Sequence, residues 1–406
     1  MFLDLVRRRN PRFLDAAVSL HRAGEIPAGC YAIDLDAVGR NSERLRGEAD
    51  RLGLELFAMT KQVSRGEPFM AALRSGGIER TVAVDMECAL ATRRAGLRLG
   101  HLGHLVQVPR HQAGVAAGLE PANWTVFDHG KAAEAAAANF AIGREQPILA
   151  RIVGPGDRFY PGHEGGFAAD EVLAVAAAID ELPGARFAGV TTFPASLYDR
   201  EARRVAPTPN LATLQAAATR LAAAGRTEVQ VNAPGTTSIA TLPMLASAGA
   251  TQVEPGHALT GTTPAHAFAD LPEDPAALYV SEISHHAGGR AYCFGGGLYV
   301  DPVFGDYEIK ALVAEDEGED ARLLVEAELP PPEAIDYYGM LTPPAGKRLR
   351  QGATVVFGFR IQAFITRSPV AGIAGVASGE PRVVGIWRLD GTAVEPTPQS
   401  RSREGL

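Results

Sequence analysis

The chain has 406 residues, of which 46% are hydrophobic and 21% are charged, and its formal net charge is −8. This composition is typical of a globular protein, and the length favours two domains over a single core. The acidic balance and the lack of a long basic block argue against a nucleic-acid partner. No apolar run approaches the length of a membrane span, so no membrane partner is expected either.

The three cysteines, Cys30, Cys88 and Cys293, are widely spaced along the chain. They form neither a metal-binding motif nor a disulfide framework, so we expect no metal site and a reducing, cytoplasmic environment. The N-terminus places its arginines after the apolar residues and carries Asp4, which is the wrong order for a signal peptide.

The first predicted elements are a helix over residues 11–24, a strand over 28–35 and a helix from about Leu35 to Leu52. The first helix lies in an N-terminal segment, 1–27, that we expect to pack on the later β domain. From residue 54 onward, short apolar strands alternate with helices rich in Ala and Leu. We predict strands near 54–60, 80–85, 104–108, 124–127, 147–153, 186–193, 228–233 and 251–255.

Eight strands that alternate with helices predict a parallel sheet, and this number and length are typical of a closed (β/α)8 barrel. We assign the barrel to residues 28–265. A doubly wound open sheet is the alternative, but that fold usually has a G-x-G-x-x-G turn after its first strand, which this sequence lacks. From about residue 278 the pattern is strand-like, with Gly and Pro turns. It predicts a mostly β domain over 266–390 and a mobile tail over 391–406.

The strand at 54–60 is followed by Lys61, which is an unusual residue after a buried apolar run. Removing water from an ammonium group is costly, so a partly dry site lowers the pKa of a lysine and makes its amine a nucleophile. Alternatively, Lys61 extends to the surface or pairs with a carboxylate. Active sites of (β/α)8 barrels lie at the carboxyl ends of the strands, so the other strand ends help to decide.

Strands 7 and 8 end in loops rich in glycine and hydroxyl groups, which in barrels commonly bind a phosphate. Glycine lets backbone N–H groups approach a ligand closely, and Thr and Ser hydroxyls add donors. A lysine, a carboxylate and a phosphate cup together suit pyridoxal 5′-phosphate, because the lysine makes the Schiff base and the carboxylate can pair with the ring nitrogen. The candidates at these strand ends are Thr236, Thr237, Ser238, Glu254, Gly256 and His257.

Three motifs, Met59–Gln62, Tyr160–Phe167 and Val253–His257, carry a resemblance to a known family. The chain resembles the fold-type III pyridoxal-phosphate enzymes, which include alanine racemase, ornithine and diaminopimelate decarboxylases and D-serine dehydratase. Within them it is most similar to the YhfX-like branch. The resemblance covers residues 28–265 well and the β domain loosely.

The resemblance implies a role for each matching position. Lys61 matches the Schiff-base lysine, and Arg158 matches an arginine that reaches the phenolic oxygen of the cofactor. Glu254 stands where the decarboxylases have a glutamate and the racemases have an arginine, and a carboxylate there favours a protonated ring nitrogen. The phosphate contacts implied are Thr236, Thr237, Ser238, Gly256 and His257.

Two positions depart from the pattern of the family. A tyrosine that usually follows the lysine is absent, and Arg65 is a candidate to replace its phosphate contact. A histidine that often stacks on the cofactor ring after strand 6 is replaced by Thr192 and Phe193. The phosphate contact and the stacking partner are therefore left open by the sequence.

The resemblance also implies chemistry at Cα of an amino acid, in a homodimer whose subunits share their active sites. We expect a racemase or epimerase, in which Lys61 exchanges the proton on one face and Tyr292, Tyr337 or His163 acts on the other. An amino-acid decarboxylase is the alternative, favoured by Glu254 and disfavoured by the absence of the Cys-Asp pair of that branch. A non-catalytic cofactor carrier is a third hypothesis, and the large β domain counts against it. A metal-dependent dehydratase or aldolase ranks lowest, because the His-x-Cys spacing is missing.

Overall fold

The computed structural model describes residues 1–299, 301–304, 307–315 and 322–395. Helices α1 (Phe2–Arg9) and α2 (Pro11–Arg22) open the chain, and strand β1 (Cys30–Asp34) and helix α3 (Leu35–Arg51) follow. Most of the expected tail, from residue 396 onward, lies outside the described residues. Within those residues, no helix is both long and apolar enough to cross a membrane.

The middle of the chain forms a closed barrel of parallel strands. Its segment contains β2 (Glu55–Leu56), β3 (Ala58–Met59), β4 (Arg80–Ala83), β5 (Arg98–Leu102), β6 (Asn123–Val126), β7 (Gln146–Val153), β8 (Phe167–Ala168), β9 (Ala185–Thr191), β10 (Ser196–Asp199), β11 (Arg204–Pro207), β12 (Gln230–Asn232) and β13 (Gln252–Val253). β8 only flanks β7, and β10 and β11 form a separate hairpin. β2 and β3 act as one interrupted strand, because β2 pairs with β13 and β3 pairs with β4. Eight strand positions therefore close, which confirms the predicted (β/α)8 barrel.

Helices connect the barrel strands and cover the outside of the barrel. They are α4 (Glu67–Ser75), α5 (Met86–Arg94), α6 (Ala113–Gly118), α7 (His129–Phe140), α8 (Val172–Asp180), α9 (Pro209–Ala223) and α10 (Leu242–Ser247). Two of them begin at an aspartate cap after a strand: Asp85 accepts from the backbone N–H of Cys88, and Asp128 accepts from that of Lys131. Such caps satisfy donors that a helix start leaves free, and they fix where each helix begins.

The predicted strand at 104–108 is wrong, because the third strand of the barrel is β5, which pairs with β4 and β6. The extended run ends at Gly103, whose φ of +79° most other residues avoid. Leu105 and Val106, which suggested a strand, lie in the following loop, where Val106 is exposed. The shift places His101 and His104 at a strand end.

The second domain is a nine-stranded, mostly antiparallel sheet, which confirms the predicted β domain. Its later strands are β14 (Ala277–Ala287), β15 (Arg290–Phe294), β16 (Ile309–Ala314), β17 (Arg322–Glu328), β18 (Tyr338–Thr342), β19 (Thr354–Phe357), β20 (Val370–Ala374) and β21 (Arg382–Trp387). The strand order is β15-β18-β17-β16-β19-β14-β1-β20-β21, and β15 also pairs with β14. This extra pairing closes six of the strands into a second barrel.

Strand β1 lies in this second sheet and not in the first barrel. The predicted barrel range of 28–265 was therefore wrong to include β1. It pairs antiparallel with β14 and parallel with β20. All five of its residues are buried, as expected of a central strand. Helix α2 packs on the same sheet, with Phe13 and Ala17 in one apolar cluster with Leu278 and Val356. The (β/α)8 barrel is therefore inserted between two neighbouring strands of the β domain.

Candidate active site

A cavity of about 400 Å³ lies between the carboxyl ends of the barrel strands and the β domain. Both domains contribute residues to its wall. We call these two sets the barrel half and the β-domain half of the cavity. The barrel half includes Lys61, Gln62, His104, His163, Thr236, Thr237, Glu254, Gly256 and His257, and the β-domain half includes Tyr299, Asp301, Arg360, Gln362 and Phe364.

Lys61 begins the short 3-10 helix Lys61–Val63, and one residue, Thr60, separates it from the end of β3. Its ammonium lies in the cavity, with Nζ 5.2 Å from the centre of the Phe364 ring. Burial lowers the pKa of Lys61, and the positive charge of Arg360 acts in the same direction. A lowered pKa raises the fraction of free amine, which suits this residue to nucleophilic attack on a carbonyl carbon.

The loops after β12 and β13 form one corner of the cavity. Thr236 and Thr237 line it, and the buried hydroxyl of Thr237 has no hydrogen-bond partner in the described part of the chain. A Cβ on Gly256 would lie only 2.5 Å from Nε2 of Gln62, so a larger residue here would displace the Gln62 side chain. Ser238 lies outside the lining of the cavity, and its backbone N–H donates to Oγ1 of Thr241 at 2.8 Å.

His257 links this corner to the β domain. Its Nε2 lies 3.0 Å from the carbonyl oxygen of Ile361, and its Nδ1 lies 3.5 Å from Nη1 of Arg360. Burial, together with the charge of Arg360, holds the pKa of His257 well below its usual value. The imidazole is therefore neutral, with Nε2–H donating to the carbonyl. Arg360 in turn pairs with the buried carboxylate of Asp301.

Glu254 follows β13 and is only 4% exposed. Its Oε1 accepts hydrogen bonds from Nδ1 of His101 at 2.5 Å and from Nδ2 of Asn232 at 3.0 Å. Its Oε2 lies 3.5 Å from Nε2 of His104 and accepts no hydrogen bond from the residues that the structure describes. Burial alone would raise the pKa of Glu254, but the two histidines and the hydrogen bonds outweigh it and hold the pKa below its usual value. Burial lowers the pKa of His104 to about 3, although the negative charge of Glu254 acts in the opposite direction.

Arg158, expected at the phenolic oxygen of the cofactor, lies outside the lining of the cavity. It is exposed, and its backbone N–H donates to Oδ1 of Asn210 at 2.9 Å. The buried guanidinium in this region belongs to Arg151 on β7. Its Cζ lies 4.5 Å from the centre of the Phe127 ring. One Arg151 nitrogen donates to the carbonyl oxygen of His163 at 2.5 Å, and burial lowers the pKa of this arginine to about 10.

Of the three candidates for a second acid or base, only His163 lines the cavity. Burial and the positive charges of Lys61 and Arg151 lower its pKa. Tyr337 is 62% exposed, and Tyr292 stacks on the ring of His285 at 4.6 Å. Neither tyrosine reaches the cavity of its own chain.

The two departures from the family pattern have different outcomes. Arg65 does not line the cavity: its guanidinium lies 3.4 Å from Asp85 and donates to the carbonyl oxygen of Leu389 at 3.2 Å. Phe193 does line it, and its ring packs edge-on against His104 at 5.4 Å. An aromatic residue is therefore retained where the family often has a histidine.

Four residues of the site were not predicted from the sequence: His101, His104, Asp301 and Arg360. The two histidines were missed because the strand was placed too late, although a His-x-x-His spacing at the end of a short apolar run was a usable signal. Asp301 lies between β15 and β16, and Arg360 follows β19, so the two residues are 59 positions apart. No local sequence pattern indicates that they form a pair.

Two protein families match the chain. The alanine racemase N-terminal domain matches residues 33–264, and the YhfX-like C-terminal domain matches residues 278–383. The chain is also 41% identical over 389 residues to a protein of Escherichia coli K12 described as uncharacterized protein YhfX. That match covers 95% of this chain and 98% of the relative.

Solved structures with a similar fold include three proteins of lower identity. D-threonine aldolase from Filomicrobium marinum has a TM-score of 0.64 at 18% identity, covering 90% of this chain and 96% of that one. D-threo-3-hydroxyaspartate dehydratase from Delftia sp. HT23 has a TM-score of 0.63 at 18% identity, covering 88% and 97%. Alanine racemase from Clostridium difficile 630 has a TM-score of 0.59 at 13% identity, covering 90% and 99%. These similarities support the fold.

Proposed function

Because the chain belongs to the YhfX-like branch of the fold-type III pyridoxal-phosphate enzymes, we propose that it binds pyridoxal 5′-phosphate in the cavity and breaks a bond at Cα of an amino acid. The activity that we favour is racemisation or epimerisation. The observation that carries the proposal is the position of Lys61. Its amine shares one cavity with the Thr237 hydroxyl and with Oε2 of Glu254, neither of which has a hydrogen-bond partner in the described part of the chain.

The polar atoms of the cavity fit this cofactor. A buried polar atom without a partner costs free energy, so a cluster of such atoms indicates a polar ligand. Six side chains that line the cavity each have a buried polar atom with no hydrogen-bond partner among the described residues. They are Gln62, His104, His163, Thr237, Glu254 and Gln362. Thr237 and the backbone at Gly256 suit the phosphate, and Glu254 suits the ring nitrogen.

Pyridoxal phosphate would supply an electron sink for the negative charge that develops at Cα. The amine of Lys61 would hold or return a proton at Cα, because its lowered pKa keeps part of it as free base. His163 is the second acid or base that we favour, since it lines the same cavity and its pKa is lowered by burial. Tyr292 and Tyr337 do not line the cavity of their own chain, so they would act only in the site of a second subunit of a homodimer.

Decarboxylation is the second candidate, and the ionised state of Glu254 favours it. A carboxylate beside the ring nitrogen supports the protonated ring, which stabilises a full carbanion. Against it, Ile335 and Asp336 stand near the place of the Cys-Asp pair, and neither supplies a thiol. A non-catalytic carrier is disfavoured, because Arg360, Gln362 and other residues of the β domain wall the cavity.

The first experiment tests covalent attachment to Lys61. Purified protein incubated with pyridoxal phosphate should show a visible absorption band, and borohydride reduction should leave the cofactor on Lys61. The chain has four lysines, so peptide mapping after reduction is unambiguous. Lys61→Ala should lose the band and the label. Lys131→Ala is the matched control, because Lys131 lies in α7 and pairs with Glu134 at 2.7 Å.

Wild-type protein that binds no cofactor, or that carries it on another lysine, would contradict the proposal. If the band is present, exchange of the Cα hydrogen in deuterated water across an amino-acid panel follows. Release of CO2 is scored separately, because it distinguishes the decarboxylase from the racemase.

A further inference from the structure

The carboxylate of Glu254 is held asymmetrically. Its Oε1 accepts two hydrogen bonds, from His101 on β5 and from Asn232 on β12, while Oε2 accepts none within the described structure. Donors from two barrel strands thus fix the orientation of the group. Oε2 is the oxygen that remains for a donor from the cavity.

His101 is itself fixed by a second contact. It is fully buried, and its Nε2 lies 2.5 Å from the hydroxyl oxygen of Thr125 on the adjacent strand β6. An ionised carboxylate only accepts, so Nδ1 of His101 carries the hydrogen that faces Glu254. In a neutral imidazole, Nε2 then accepts from the Thr125 hydroxyl, and this contact selects the tautomer and holds the ring plane.

The same three side chains could suggest a metal site, because His101, His104 and Glu254 each offer an atom within 4.8 Å of the others. Two ligands of a tetrahedral zinc ion, each ~2.0–2.1 Å from the metal, lie ~3.3 Å apart. The 2.5 Å between Nδ1 of His101 and Oε1 of Glu254 is the separation of a short hydrogen bond. These two atoms therefore have the spacing of a hydrogen-bonded pair and not of two ligands of one zinc ion.

We propose that His101 is a positioning residue: backed by Thr125, it orients Glu254 so that Oε2 accepts a hydrogen bond from a protonated pyridine-type ring nitrogen in the cavity. The inference rests on the proposed function, because it assigns a further residue to the same site. With Oε2 held in this way, the site should bind a ring that contains a nitrogen more tightly than the same ring with C–H in place of that nitrogen.

The surroundings of Glu254 agree with this role. The groups that face it are His101, His104 and Asn232. His104 lies 3.5 Å from Oε2 and makes no hydrogen bond to it among the residues that the structure describes, so this oxygen is open toward the cavity. The charge remains for a cationic donor in the cavity, and a protonated ring nitrogen is such a donor.

The test compares two ligands on protein freed of cofactor. One is pyridoxal phosphate, and the other is its 1-deaza analogue, in which C–H replaces the ring nitrogen. His101→Gln places an amide near Nε2 and removes the donor to Glu254, whereas His101→Asn places an amide near Nδ1 and retains it. We expect His101→Gln to bind pyridoxal phosphate about 10-fold or more weakly, with unchanged affinity for the analogue. His101→Asn should keep the wild-type preference.

Thr125→Val removes the backing hydroxyl at nearly equal volume, and it tests the same chain of contacts if His101→Gln does not fold. It should show the same selective loss, smaller in size. Equal loss for both ligands, or no loss in either variant, overturns the inference. So does wild-type protein that binds both ligands without preference, although the proposed function then stands. Wild-type protein that binds neither ligand overturns the proposed function, and the inference with it.

Discussion

The barrel half and the β-domain half of the cavity each contain a buried carboxylate, and the two carboxylates differ in how fully they are paired. On the β-domain side, the carboxylate of Asp301 pairs with Arg360 and accepts from the backbone N–H of Val303. On the barrel side, Oε2 of Glu254 and the hydroxyl of Thr237 have no hydrogen-bond partner in the residues described. A satisfied group indicates a structural role, and an unsatisfied one indicates a role toward a ligand.

Loss of the β-domain ion pair should show this difference as a large effect on stability. Asp301→Asn leaves Arg360, which is only 13% exposed in its side chain, without its charge partner. Breaking a buried pair at one end costs about 3–5 kcal/mol. We therefore expect the free energy of unfolding, measured with urea, to fall by that amount.

The exposed pair between Arg98 and Glu79 is the matched control for this experiment, since both side chains are 64% exposed. Glu79→Gln should change the free energy of unfolding by less than about 1 kcal/mol. A loss for Asp301→Asn as small as that of the control would contradict the structural role of this pair.

The opposite result is expected for Glu254→Gln in the barrel half. Removing a charge aimed at the reacting system typically costs about 10²–10³-fold in rate, so exchange of the Cα hydrogen should slow by that factor. The free energy of unfolding should change less than in Asp301→Asn. Glu228→Gln, at an exposed position before β12, should leave the exchange rate unchanged. A destabilised Glu254→Gln protein with a normal rate would reverse the roles of the two halves.

A smaller effect, on cofactor affinity, is expected at Gly256, in the loop that we propose holds the phosphate. Gly256→Ala pushes its Cβ against Gln62, so we expect about 10-fold weaker binding of pyridoxal phosphate and little change for pyridoxal, which lacks the phosphate. Gly47→Ala is the control, because a Cβ there meets nothing within 4 Å and Gly47 lies inside α3. That change should stabilise the protein by ~0.5–1 kcal/mol. Equal losses for the two ligands in Gly256→Ala would contradict the phosphate assignment.

The barrel half could be predicted largely from the sequence, because a parallel barrel brings its polar strand ends together. Lys61, Glu254 and Gly256 each follow a short apolar run, and all three line the cavity. Misplacing one strand was enough to hide His101 and His104. A pattern of apolar residues cannot distinguish the last residues of a strand from the loop that follows it.

The remaining errors have a common physical cause. Arg158 lies in a long irregular loop after β7, where no periodicity dictates the direction of a side chain. Arg151 lies on β7 itself, where successive side chains point to opposite faces, and its side chain is buried. In the β domain, Asp301 and Arg360 meet through tertiary packing alone, so neither could be inferred from the residues around it.

A ribosome releases β1 long before the strands between which it lies. β1 ends at Asp34 and β14 begins at Ala277, so on the order of 240 residues are made in between. At ~5–20 residues per second, this takes roughly 10–50 s. The barrel segment has all its strand partners by the end of that interval. The apolar face of α2, with Phe13 and Ala17, still lacks its sheet. The nascent chain therefore carries an uncovered apolar surface on α2 until β14 and β19 have been made.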